Sequence, residues 1–238
     1  MNATTTILIT NKCPLNCRYC NLAETMEDSI KKGIHDPTYE EIDEIVYNFI
    51  EKYKNANSRK VTFSGGEPFL RWPDIKKIIE KYGDKCTFDF NTSGYPLTEE
   101  IIEWLSNYSV TFNLSVDGGE KVTNYLRPLR NPNSTAPTYW EKLKTIAPTL
   151  LYYFPTVYCK IIISKRLVKN FYHSYLELEQ LGFKRMYIIL DITERSNGED
   201  KEDLWTDNDY LELSEQLAKI ATQRAIGMKY GIERLEII

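Results

Sequence analysis

With 238 residues, 42% of them hydrophobic and 27% charged, the chain reads as one soluble globular domain long enough for a substantial core. The net charge of −4 comes from acids and bases mixed along the sequence, so no basic block argues for nucleic acid, and no apolar run reaches the roughly 18–20 residues of a membrane span. Five cysteines, three clustered and two apart, are not a secreted disulfide framework; with no signal-peptide layout ahead of Ile7, the expected setting is a reducing cytoplasm.

Short β-rich runs alternate with helical periodicity. Thr5–Ile9 is the first predicted strand, followed by the loop Cys13-Pro-Leu-Asn-Cys17-Arg-Tyr-Cys20 and a polar stretch from Asn21 to Asp36. Thr38 and Glu41 form a capping pair, behind which Ile42, Ile45, Val46, Phe49, Ile50 and Tyr53 repeat at helical spacing. Lys60–Ser64 is the second predicted strand and ends on Gly65-Gly66-Glu67-Pro68. A helix with Ile75, Ile78, Ile79 and Tyr82 on one face is entered through Trp72-Pro73. Cys86–Asn91 alternates as a third predicted strand, closed by Thr92-Ser93-Gly94, and Thr98 caps a helix that buries Ile101, Ile102 and Leu105. Val110–Val116 is the fourth predicted strand, ended by Asp117-Gly118-Gly119. The segment Glu120–Pro137, rich in Arg, Asn and Pro, is expected to be irregular. Thr138 and Glu141 cap a helix expected to reach about Ala147, and Val157–Ser164 is the fifth predicted strand. A helix from about Asn170 to Leu181 stops at Gly182, Arg185–Asp191 is the sixth predicted strand, and a last helix is expected from about Asp207 to Gln223, before the apolar end Ile237-Ile238.

Six β/α units in one direction imply parallel strands joined by right-handed crossovers. The expected architecture is α/β: a partial TIM barrel, (β/α)6, with helices outside and one side open, formed by residues 1–238 as a single core domain. Ligands of such sheets gather beyond the carboxyl ends of the strands. The polar candidates fall there: the cysteines after strand one, Gly65 to Pro68 after strand two, Asn91 and Thr92 at strand three, Ser115 and Asp117 at strand four, Ser164 at strand five and Asp191 at strand six.

Thiolates are soft ligands, and three within eight residues can hold zinc or an iron–sulfur cluster. Pro14 and Asn16 suit a tight, non-helical wrap. A zinc site completed by His35, or three unreactive thiols, stay open on spacing alone. Cys86 and Cys159 lie within strands and read as small apolar residues; His173 carries no pattern.

Cys-x3-Cys-x2-Cys early in the chain, then Gly-Gly-Glu-Pro about 45 residues later at a strand end, resembles the radical S-adenosylmethionine (SAM) enzymes, over a stretch from Thr6 to about Ile192. The resemblance implies that Cys13, Cys17 and Cys20 ligate a [4Fe–4S] cluster whose open iron takes the amino and carboxylate groups of SAM. An electron then splits the sulfonium into methionine and a 5′-deoxyadenosyl radical, which removes hydrogen from substrate. It implies that Gly65 and Gly66 let the backbone approach the methionine moiety, with Pro68 in the same motif and Glu67 accepting from the ammonium or orienting the loop. Tyr19 matches a position near the adenine, and Ser115 and Asp117 match a Ser-x-Asp-Gly pattern that would bond the ribose or the methionine carboxylate. Asn91, Thr92 and Ser164 are further candidates, and Leu190 could pack on the adenine. Each has a plainer reading: a tight turn for the glycines and for Asp117, core packing for Tyr19 and Leu190. Lys160, Arg127 and Arg130 are candidate carboxylate partners for SAM, weighed against solvated surface charges.

Gly-Gly-Glu-Pro-Phe-Leu, Asn-Thr-Ser-Gly and Leu-Ser-Val-Asp-Gly together resemble the core of the SPASM-type enzymes that modify peptides and protein side chains. Those usually carry a cysteine-rich C-terminal extension, whereas here no cysteine follows Cys159; the chain is either short by nature or stops before one. The implied partners are a peptide or protein substrate and an electron donor such as flavodoxin or ferredoxin, with neither nucleic acid nor membrane. Beside this stand an enzyme of a small molecule or nucleotide precursor, a glycyl-radical activase, and a non-catalytic, metal-binding interaction domain.

Overall fold

The computed structural model describes residues 1–20, 22, 28, 32, 35–131, 135–190, 205–229 and 236–237; Asp191 and most of the polar stretch after Cys20 lie outside the described residues. A single parallel sheet runs in chain order through β1 (Asn2–Thr10), β2 (Ser58–Gly65), β3 (Thr87–Thr92), β4 (Val110–Ser115), β5 (Tyr158–Ile163) and β6 (Arg185–Leu190), with a two-residue β7 (Glu236–Ile237) beside Arg185 and Met186. Between the strands lie α1 (Tyr39–Lys52), α2 (Trp72–Tyr82), α3 (Glu99–Leu105), α4 (Glu120–Leu126), α5 (Tyr139–Tyr153), α6 (Phe171–Gln180) and α7 (Asp207–Lys229). Short 3₁₀ turns, Pro68–Arg71 and Lys165–Asn170, lead into α2 and α6. The expected open (β/α) architecture is the one observed.

The helices form where the sequence marks them. The Thr38 hydroxyl accepts from the Glu41 amide while the Glu41 carboxylate accepts from the Thr38 amide, and Thr138 and Glu141 repeat the arrangement. The apolar stripes are buried: Ile42, Val46, Phe49 and Ile50 on α1, and Ile75, Ile78, Ile79 and Tyr82 on α2. They join Ile7, Ile9, Val61, Phe63, Phe88, Phe90, Phe112 and Leu114 from the outer face of the sheet in one hydrophobic cluster. Fully burying a side chain of this size contributes about 1.5–3 kcal/mol. Phe63 stacks on Phe88 and Phe90, and Phe69, from the turn after β2, lies 4.7 Å from Phe90 between ring centroids. The turn carrying the Gly-Gly-Glu-Pro motif is thereby seated on the core.

The inner face of the sheet is different. Strand alternation and register place Thr6, Thr62, Asp89 and Thr111 on one rung across it, and Ser115, Lys160 and Tyr187 on another. Asp89 is buried but satisfied, accepting from Thr111, from Asn113 at 2.8 Å and from Thr62 at 3.5 Å.

The structure departs from the sequence reading in five places. The segment expected to be irregular contains α4, which buries Val122, Thr123 and Leu126. The helix opened by Thr138 runs through Pro148 to Tyr153, because buried Ile146, Ala147 and Leu150 flank the proline and their packing outweighs the lost backbone bond. The last helix continues to Lys229, and β1 starts at Asn2. The two-residue β7 was not anticipated; it falls on the apolar end of the chain.

Candidate functional site

At the carboxyl end of β1 the chain turns into the cysteine loop, which is held on three sides. Asp36 accepts from the Thr10 hydroxyl and from the Asn11 amide, both at 2.7 Å, and so fixes the loop's base. Residues 14–18 then pair antiparallel with residues 126–130: the Asn16 amide donates to the Pro128 carbonyl at 2.8 Å, Arg18 to Leu126 at 2.9 Å and Arg130 to Pro14 at 2.8 Å, with Leu15 opposite Leu129. Leu15 is buried beneath this strap. The Arg18 guanidinium lies 4.3 Å above the Tyr125 ring centre and donates from Nε to the Tyr125 carbonyl. The third side is the turn after β2: the Gly66 amide donates to the Thr10 carbonyl at 2.7 Å and the Glu67 amide to the Lys12 carbonyl at 2.8 Å.

This contact explains the two glycines. Gly65 has φ +120°, and a Cβ there would sit 2.5 Å from the Thr10 carbonyl oxygen; a Cβ on Gly66 would sit 2.2 Å from that of Lys12. Their side-chain positions face the base of the cysteine loop, so the close approach they permit is between two backbone segments. Gly66→Ala is therefore expected to force the two apart and lower stability by about 1–3 kcal/mol. It should also reduce the iron retained per chain after anaerobic reconstitution, and a urea midpoint with an iron assay checks both.

Glu67 points inward and is fully buried. Its carboxylate accepts from the Thr92 hydroxyl (2.5 Å), the Ser93 hydroxyl (2.5 Å), the Ser93 amide (2.9 Å) and the Phe69 amide (3.3 Å). Burial raises its pKa, and the donors from Ser93, Thr92 and Phe69 oppose the rise. The arrangement orients the Pro68 turn and ties it to the end of β3. The Tyr139 hydroxyl sits between the Ser93 and Ser115 carbonyl oxygens, at 2.7 and 2.6 Å, and so joins the ends of β3 and β4.

The second hub is built on Asp117. Its carboxylate takes two bonds from Arg127, from Nε at 2.7 Å and Nη2 at 3.0 Å, one from the Tyr19 hydroxyl at 2.5 Å and one from the Ile162 amide at 3.1 Å. Arg127 is buried, lies over the Tyr19 ring and directs Nη1 at the Cys17 sulfur, 3.7 Å away. Burial works against its charge, but Asp117, Tyr19 and Cys17 outweigh it and raise its pKa well above the usual value. The Tyr19 phenol is raised by burial and by Asp117. Sequence reasoning had weighed Arg127 against a surface charge; instead it forms the core of this hub.

Cys13, Cys17 and Cys20 are half-buried and free of disulfides. Burial pushes the Cys13 thiol up to about 12 and raises Cys17 as well, Arg127 opposing the rise at Cys17. Among the described residues no three His, Cys, Asp or Glu side chains converge closely enough for one metal ion. Cys17 and Cys20 each add a small electrostatic rise to Cys13. Three soft donors on one loop suit a polynuclear cluster, in which each takes its own iron. The exposed His35 ring faces the Asp36 carbonyl at 2.9 Å.

The remaining candidates are more dispersed. Asn91 lies in register with Asn113, and Lys160 with Ser115, on the inner face. Ser164 precedes the turn that leads into α6. Leu190 shares the face of buried Met186 by alternation and packs against the core, the plainer of its two readings. Arg130 is exposed and donates from Nε to the Cys13 carbonyl at 3.3 Å. Neither Tyr139 nor Asp36 was singled out from sequence; Tyr139 reads there only as the first residue of a helix.

The Radical SAM superfamily profile matches residues 7–149. The chain is 29% identical over 132 residues to the radical SAM cyclopropyl synthase TigE of Paramaledivibacter caminithermalis, covering 50% of this chain and 28% of that protein. It is 26% identical over 112 residues to the GTP 3′,8-cyclase of Pasteurella multocida, covering 46% and 31%. Among solved structures, native anSMEcpe with bound AdoMet superposes with a TM-score of 0.77 at 17% identity, over 100% of this chain and 64% of that one. The same protein with AdoMet and the Cp18Cys peptide gives 0.75 at 17% identity, over 99% and 63%. The matches thus span under a third of the two curated relatives and under two thirds of the structural neighbour.

Proposed function

We propose that this chain, which belongs to the radical SAM superfamily, reductively cleaves SAM and removes a hydrogen atom from a peptide or protein substrate. Members of the family use a [4Fe–4S] cluster and SAM, which when bound supply the 5′-deoxyadenosyl radical. The observation that carries the reading is the physical join between its two motifs: the cysteine loop and the Gly-Gly-Glu-Pro turn are bonded to each other through Thr10 and Lys12.

The chain's own residues then have distinct tasks. Cys13, Cys17 and Cys20 would hold the cluster. The turn at Gly65, Gly66 and Pro68, kept in place by Glu67 through Thr92 and Ser93, would present backbone groups to the methionine end of SAM. Tyr19, and Ser115 and Asp117 at the end of β4, would border the nucleoside, with Asn91, Ser164 and Leu190 as outlying candidates. The inner sheet face, polar from Thr62 to Lys160, would receive the substrate.

A peptide or protein substrate is supported by the overall likeness to anSMEcpe, whose structure holds a peptide beside AdoMet. The single electron would come from a flavodoxin or ferredoxin, in the cytoplasm. Residues 1–238 would serve as one radical SAM core domain. Among the described residues no helix is long and apolar enough to cross a membrane. A second reading, a small-molecule or nucleotide-precursor substrate, is favoured by the likeness to a GTP cyclase.

Anaerobic reconstitution with iron, sulfide, SAM and dithionite is expected to release 5′-deoxyadenosine. A protein that holds a cluster and never releases it would overturn the proposal.

A further inference from the structure

The Arg127 guanidinium has three of its nitrogen positions assigned. Two bind Asp117, and the third, Nη1, lies 3.7 Å from the Cys17 sulfur, a distance at which a long N–H···S bond forms. The group cannot swing away, because Tyr19 lies against its flat face, Asp117 is itself held by Tyr19 and the Ile162 amide, and Arg127 is only 6% exposed. A rigid cation donor aimed at one of three candidate cluster ligands is more than a structural ion pair requires.

We propose that Arg127 is a positioning residue that acts on the cluster through Cys17: its fixed N–H donates to the thiolate and raises the reduction potential of the centre bound there. Reduction adds one electron, and therefore negative charge, to the cluster and its sulfurs. A positive donor on a ligand sulfur stabilises that state more than the oxidised one. Asp117 also acts on Cys17 and opposes Arg127, but Arg127 stands nearer to the sulfur and its effect is the larger. The inference rests on the reading that Cys13, Cys17 and Cys20 hold the cluster.

The test is an EPR-monitored redox titration of the reconstituted full chain without SAM, with iron and sulfide measured on the same samples. Arg127→Gln removes the cation but leaves the Asp117 charge buried. The double variant Arg127→Gln with Asp117→Asn removes both charges, so it keeps the question answerable if the single variant does not fold. At a fixed potential the ratio of reduced to oxidised cluster should fall about tenfold in the single variant, about 59 mV for one electron, and fall by less in the double variant, where the opposing Asp117 charge is gone too, with iron per chain as in wild type. A ratio unchanged or increased in the double variant would overturn the proposal, as would loss of the cluster from both variants, which would make Arg127 a scaffold only. A wild-type chain that binds no iron and sulfide would sink the cluster reading itself. A loaded wild type with unmoved variants would sink only the role of Arg127.

Discussion

Cys17→Ala is expected to reduce 5′-deoxyadenosine release to the level of a protein-free control, and to take most of the cluster iron with it. Of the three proposed ligands Cys17 is the one that the surrounding protein has arranged most fully: its sulfur receives Arg127, its carbonyl accepts from the Cys20 amide at 3.1 Å, and its neighbours are strapped to residues 126–130. An alanine there leaves that frame intact and removes one of three soft donors, so the loss should be chemical and not a failure to fold. The control is Cys86→Ala. Cys86 is buried, its thiol faces the Tyr82 carbonyl at 3.5 Å, and burial pushes it up to about 11. That variant should lower the urea midpoint yet retain wild-type iron and wild-type cleavage. If Cys17→Ala cleaved SAM as wild type does, the assignment of the loop would fail.

The second large effect is on stability. Arg127→Met should destabilise the apo chain by about 3–5 kcal/mol, because it leaves the Asp117 carboxylate charged and uncompensated in the interior. The side chains are 7% and 0% exposed, so solvent screens the pair little. Adding Asp117→Asn should recover most of the loss, since an amide oxygen can still accept from Tyr19 or from the Ile162 amide without a buried charge. Urea denaturation at constant m-value reads both steps. A single variant as stable as wild type would show that the pair is not buried in solution.

Much of this was readable in the sequence because it is local. The strand–helix alternation, the capping pairs at Thr38 and Thr138 and the apolar stripe of α2 depend on residues within a few positions of one another. What escaped depends on distance. α4 has the sequence Glu-Lys-Val-Thr-Asn-Tyr-Leu, two of whose residues are β-branched, and is helical because Val122, Thr123 and Leu126 find burial. The strap on the cysteine loop joins residues more than 100 positions apart. Arg127 looks like a loop charge until Asp117, ten residues earlier, and Tyr19 are brought to it. The glycines of the second motif were noticed, but the surface they approach, the backbone of Thr10 and Lys12, could not be inferred from spacing.

The polar rungs on the inner side of the sheet have a consequence for how such a protein can diversify. In a closed barrel the inward side chains are the core, and changing them endangers the whole molecule. Here the hydrophobic cluster lies on the helix side, and inward positions such as Leu8 and Tyr187 are 55% and 45% exposed. This lining can therefore change to suit a new substrate while the scaffold beneath it keeps its shape.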